Sequence, residues 1–209
     1  MNTSRFTYTV PLAVLLLAPF GVLALGRGAS AQTQPGQGDQ RTLTADDHDH
    51  NSDGRKASNP LVRVVRETTE KYQNVTAAEA DGYTLMFGCV SGSEWGAMGL
   101  HYVNLPLVLD GEIDPTRPEI VIYEPMPDGR RRLVGADFLV LADAWHAKHP
   151  AAETPQIMGQ LLHLFESPNR FGLPAFYTLH VWAWKENPSG MFVNWHSNVS
   201  CDAFSGPIP

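Results

Sequence analysis

The sequence predicts an α+β fold, with N-terminal helices packed on a mostly antiparallel β-sheet in a single domain. Three observations carry this. Apolar residues after Asn59-Pro60 recur at helical spacing; beyond Gly82 the chain turns to short runs rich in β-branched and aromatic residues; and Asp128-Gly129 separates two such runs as a hairpin signal.

The elements follow in order. Asn59-Pro60 is a helix start, with asparagine as the cap and proline at the first helical position. Leu61, Val64, Val65, Thr68 and Tyr72 then form the face that packs on the core. Thr76-Ala-Ala-Glu79 reads as a capping box for a second helix that ends at Gly82. Tyr83–Val90 reads as a first strand, and Leu100–Val103 and Leu105–Leu109 are short apolar runs around Pro106. Glu119–Glu124 is a strong strand, with Arg132–Leu141 as its hairpin partner. Residues 142–150 form a short helix or turn, 155–166 fit helix or strand equally, and Phe176–Trp184 is the longest aromatic strand. The folded domain is expected over 59–209, with no internal repeat.

The first 31 residues have the three parts of a secretory signal peptide. Arg5 opens it, Val10–Leu25 is the apolar run, and Ala29-Ser30-Ala31 is the cleavage motif. The run is about 16 residues, short of the roughly 20 that span a bilayer, and Pro11, Pro19 and Gly21 interrupt it. The expected product is a secreted or periplasmic protein beginning at Gln32, with no stable membrane insertion. Cleavage leaves 13 Lys+Arg against 22 Asp+Glu, a net charge of −9. That balance disfavours nucleic acid and anionic membranes, which reward a basic face.

Residues 32–58 read as a disordered acidic and histidine-bearing linker, with one leucine and no aromatic residue. Asp49 to Gly54 fits the first half of a calcium loop, but the position of the bidentate glutamate is Pro60. Cys89 and Cys201 are the only cysteines. In an oxidising compartment an even count favours a disulfide; two buried thiols or a cysteine pair on a metal are the alternatives.

Candidate chemistry comes from side-chain direction, since alternate strand residues share a face. Phe176, Thr178, His180, Trp182 and Trp184 share one; so do Ile120, Ile122 and Glu124, and Leu133, Gly135, Asp137, Leu139 and Leu141. Each run sets one ionisable group among apolar neighbours. His101, between Leu100 and Tyr102, and His163, in Leu161-Leu-His-Leu-Phe165, are placed similarly. Buried imidazole needs a partner. A pocket of His101, His180, Glu124, Asp137 and His163 could hold a divalent transition metal (Zn, Cu, Fe or Mn), as sets of two histidines and a carboxylate do. Tyr102, Asn104, Trp182 and Trp184 would line a ligand pocket around it, and Asn187 and Asn194 could bond a polar ligand or cap turns. His146, His149 and His196 lie in polar contexts and read as exposed. No nucleophile elbow, phosphate loop or compact metal motif is present.

The stretch from Gly96-Ala-Met-Gly-Leu-His-Tyr-Val-Asn104 through Tyr177-Thr-Leu-His-Val-Trp-Ala-Trp184 resembles a family of uncharacterised secreted bacterial proteins, a likeness that implies no particular activity. A scattered similarity to plant oil-body-associated proteins rests on His101-Tyr-x-x-Asn, Ile122-Tyr-Glu, Arg132-Leu-Val-Gly-Ala-Asp-Phe138 and His180-x-Trp182; the chain lacks the basic, histidine-rich middle expected there.

Three functions fit these readings. The first is an exported protein whose buried pocket binds a metal ion or small ligand. The second is a metal-dependent oxygenase, cyclase or hydrolase using His101, His180 and a carboxylate. The third is a structural or interaction module without a metal.

Overall fold

Helix α1 (Pro60–Thr69) begins where its cap dictates: Asn59 Oδ1 accepts hydrogen bonds from the backbone N–H groups of Leu61 and Val62 at 3.0 and 3.3 Å. The computed structural model describes residues 59–92, 94–150 and 154–206. The leader, the linker and the partial calcium loop lie outside the described residues. The buried face of α1 is Leu61, Val62, Val65 and Thr69, continued by Tyr72 in a single 3-10 turn (Glu70–Gln73). Val64 and Thr68 are only half-buried, so the face is turned slightly from the expected one. In α2 (Val75–Ala80) the cap is Asn74, whose Oδ1 accepts from the Thr76 N–H, and Thr76 sits inside the helix. The asparagine precedes the supposed capping box by two residues and accepts from the Thr76 N–H group that Glu79 would have bonded in the box. Gly82, at φ +91°, ends this segment as expected.

The chain then builds strands β1 (Thr84–Gly92) and β2 (Gly96–Val103), helix α3 (Leu105–Leu109), strands β3 (Ile120–Pro125) and β4 (Arg131–Leu141), and helix α4 (Ala142–Lys148). The run around Pro106 is therefore a helix: proline lies in its first turn, where its missing N–H costs nothing. The ambiguous segment is extended, as β5 (Gln156–Ile157), β6 (Gln160–Leu161) and β7 (His163–Phe165), followed by β8 (Phe176–Val181). Six strands form one antiparallel sheet in the order β1-β2-β3-β4-β8-β7; β5 and β6 pair separately. Among the described residues, no helix is long and apolar enough to cross a membrane.

The two faces of the sheet have different tasks. Ala136, Phe138 and Val140 of β4, with Leu179 and Val181 of β8, join the core that includes Leu61, Val62 and Val65 of α1. The intervening residues Asp137, Leu139, Thr178 and His180 point the other way. A disulfide between Cys89 and Cys201, with Cα atoms 5.8 Å apart, ties β1 to the C-terminal tail. The tail is also held by a backbone bridge between Ala97 and His196.

Candidate metal centre

The site begins with one cross-strand pair. Asp137 on β4 is the direct register partner of His180 on β8, and Ile120 on β3 is the next residue in that row. His101 on β2 is paired with Ile122, one pleat repeat along. From β2 to β8 is three strand spacings, about 14 Å in a flat sheet, yet the His101 and His180 rings have centroids 5.8 Å apart. The sheet must curl to achieve this. Register shifts between Met86 and Cys89, Val90 and Ser91, and Ile122 and Tyr123 mark the bulges that bend it. Two glycines permit the close approach. A Cβ on Gly99, at φ +94°, would lie 2.6 Å from the Tyr123 carbonyl oxygen, and one on Gly135 would lie 2.5 Å from that of Val181.

Ligand-type atoms of His101, Asp137 and His180 all lie within 4.8 Å of one another, and all three side chains are buried. His101 Nδ1 stands 3.1 Å from the Gly99 carbonyl oxygen. A carbonyl only accepts, so Nδ1 carries the proton and Nε2 the lone pair. The Thr178 hydroxyl donates to Asp137 Oδ1 at 2.5 Å and fixes that carboxylate. His180 Nδ1 is 3.7 Å from Asp137 Oδ1, beyond hydrogen-bond reach. Asn194 comes close enough to favour a protonated His180, yet no contact between them has hydrogen-bond geometry. Both ring nitrogens of His180 and Asn194 Oδ1 are buried without a partner.

Burial sets the protonation of the group. It pushes His101 down to about 4, helped by the neighbouring His180 and opposed by Asp137. It pushes His180 down to about 3, with His163 adding to the effect and Asn194 opposing it. It raises Asp137 to about 6, against the hydrogen bond from Thr178 and the attraction of His101. At neutral pH the site therefore holds two neutral imidazoles and one buried carboxylate. No lysine or arginine among the described residues pairs with that carboxylate. Two lone-pair donors around an uncompensated negative charge are a donor set that could hold a cation. Beside them lies an apolar cavity of about 30 Å³, walled by Phe87, Val90, Met98, Ile120, Leu139, Phe165, Phe171, Leu173 and Phe176.

The other residues singled out from the sequence fall elsewhere. Glu124 sits at the far end of β3, four residues from Ile120 and so about 13 Å along the strand from the Asp137 row. Its carboxylate accepts from Lys185 Nζ at 2.7 and 2.8 Å, from Arg132 and from the Ser200 N–H. Burial alone would raise its pKa, but the Lys185 and Arg132 hydrogen bonds leave it lowered. It is a clamp on the tail rather than part of the cluster. His163 pairs with Thr178 on the edge strand β7, on the same face as the site, but its side chain is exposed. Tyr102 points to the opposite face from His101. Its ring packs on Tyr123 at 5.0 Å, with the Arg131 guanidinium over it at 5.5 Å. Asn104 donates to the Asp81 carbonyl at 3.1 Å, away from the cavity.

Trp182 packs against His180 with centroids 5.9 Å apart and donates to the Val193 carbonyl at 2.6 Å, which makes it a backing for that histidine. Trp184 departs because β8 ends at Val181. Beyond it the Trp184 and Lys185 N–H groups both donate to the Val134 carbonyl, alternation is lost, and the indole turns to Thr69 of α1, 2.9 Å away. His196, expected to be exposed, is fully buried beneath Trp182, 4.8 Å between centroids, because the tail bridges to Ala97. His146 and His149 are half-buried, His146 near the Tyr177 hydroxyl and His149 stacked on Trp145. Asn187 caps its turn, accepting from the Ser189 N–H and donating to the Trp195 carbonyl.

Three residues gained importance only in three dimensions. Thr178 had a visible signal, since it shares the His180 face. Phe87 had none. Glu119 is 2% exposed and accepts from the Leu139 N–H at 3.0 Å. Burial raises its pKa to about 8, partly countered by that hydrogen bond. No protein-family model, curated protein or solved structure matches this chain, so the site stands on its own geometry.

Proposed function

We propose that this is an exported protein that binds one divalent transition metal ion through His101, Asp137 and His180. The observation that carries the reading is the convergence of two neutral imidazoles on a buried carboxylate without a cationic partner, with His180 lacking any hydrogen-bond partner among the described residues. A histidine buried only for packing would forfeit its hydrogen bonds at a cost of about 1–3 kcal/mol; an ion would supply what one of its nitrogens lacks. Donor atoms around an ion with bonds of 2.0–2.1 Å stand about 3 Å apart, so the side chains close inward by about 1–2 Å on binding. The Gly99 carbonyl on His101 and the Thr178 hydroxyl on Asp137 are the supports that ligands of this kind use to hold orientation.

Export is supported by the three-part N-terminus and by the Cys89–Cys201 disulfide, a bond that persists in oxidising compartments. A second reading, a metal-dependent enzyme, is favoured by the cavity: three protein ligands leave coordination positions open, and space adjoins them.

The test is the metal content of the exported protein, purified without chelators and without metal-affinity steps. About one equivalent of zinc, copper, iron or manganese, with a melting temperature that rises on adding that metal, is the expected result. Absence of both would remove the metal and leave the module reading. Turnover of a substrate by the loaded protein would separate the enzyme from the binder.

A further inference from the structure

Phe87 is one of two non-glycine residues with positive φ among the described residues, at +64°, followed by Gly88 at +64°. A bulky side chain is strained in this left-handed region. The pair forms the bulge between Met86 and Cys89, and the bulge swings the Phe87 ring over the cavity beside His101 and His180. Phe171 meets it edge-on, with centroids 5.8 Å apart, and both rings are half-buried at the cavity wall. A strained residue persists only where the structure around it holds it in place. Here the strain puts an aromatic ring across the space next to the candidate ligands.

We propose that Phe87 and Phe171 form a size filter for the metal site, restricting its outside ligand to a small monoanion of about three non-hydrogen atoms or fewer. This inference rests on the metal reading above. Two observations support it. The cavity of about 30 Å³ has room for only about two waters, so an extended organic ligand does not fit. The charge count then selects the sign. A divalent ion with the Asp137 carboxylate and two neutral imidazoles leaves one positive charge among apolar walls. One monoanion brings the buried group to neutrality; a dianion overshoots it, and a neutral ligand leaves the charge unbalanced.

The test uses the full chain loaded with cobalt(II), whose visible absorption reports its ligands. Azide and formate should shift the spectrum of the wild type, while benzoate and sulfate at the same concentrations should not. Phe87→Gly removes the ring and suits the left-handed backbone; Phe171→Ala opens the wall without touching that backbone. In each, benzoate should bind at least about tenfold more tightly than to the wild type, with azide changed by less than about threefold. If Phe87→Gly does not fold, Phe171→Ala carries the comparison. Benzoate or sulfate perturbing the wild type as strongly as azide would overturn the filter, as would bound cobalt that ignores azide. Failure to bind cobalt is a separate result, seen before any anion is added, and it removes the metal reading together with this inference.

Discussion

Asp137 and His180 face each other directly across β4 and β8, with Oδ1 and Nδ1 3.7 Å apart: too far for a hydrogen bond, and close enough to share an ion after a small closure. Two residues before His180 on the same face of β8, the Thr178 hydroxyl donates to that same Oδ1 and holds the carboxylate. The pair is the centre of the site, and His101 completes it from across β3.

Removing any ligand should abolish binding, while removing the candidates that lie outside the cluster should not. His101→Ala, His180→Ala and Asp137→Asn should each lose the metal, as read by elemental analysis after dialysis. His163→Ala and Glu124→Gln should retain it. Asp137→Asn carries a second signature. It removes a buried charge, so the metal-free variant should melt higher than metal-free wild type at pH 8. Metal retained by Asp137→Asn would discard the assigned ligand set.

The pH dependence of binding should report one proton. In the metal-free site both imidazoles are held neutral down to about 4, while Asp137 takes a proton near 6. Binding displaces that proton, so affinity should fall about tenfold per pH unit below 6 and be level above it. Calorimetric titrations across pH 4.5–8 would measure this. A steeper fall starting at 6.5, as two free histidines would produce, would contradict the burial argument.

Glu119 should make the fold less stable in alkali. Its folded-state pKa is raised from 4.5 to about 8. Such a group stabilises the fold below its ordinary pKa and loses that contribution as pH rises through about 8. Melting temperature should therefore decline between pH 4.5 and 8, and Glu119→Gln, which keeps an oxygen for the Leu139 N–H, should flatten the decline. An identical profile in both proteins would show that this carboxyl ionises without penalty.

The Cys89–Cys201 bond closes a loop across 112 residues. Cys201→Ser should cost about 2–5 kcal/mol in denaturant unfolding. Metal affinity should change much less, since neither cysteine is among the three candidate ligands. Thiol titration of the unreduced, unfolded wild type should find no free cysteine.

The sequence by itself determined the local features: the Asn59 cap, the Asp128-Gly129 hairpin, the two helices that precede the first strand, and the shared faces that put Asp137 with Leu139 and His180 with Thr178. These depend on spacing within a segment, and pleat and helix period translate spacing into direction. It also marked the two cysteines that prove to be joined. Only the tertiary structure decided which candidates meet. Glu124 and Asp137 looked equivalent as single acids on apolar strand faces, but a strand separates them along its length, and the far end supplied Lys185 and Arg132. His101 reaches His180 because bulges and glycines curl the sheet, and nothing in either segment states the curvature. Trp184 leaves the face where β8 stops, and His196 is buried because a distant tail pairs with Ala97. Periodicity reports which way a side chain points; which strands become neighbours, and how far the sheet bends between them, is settled by long-range packing.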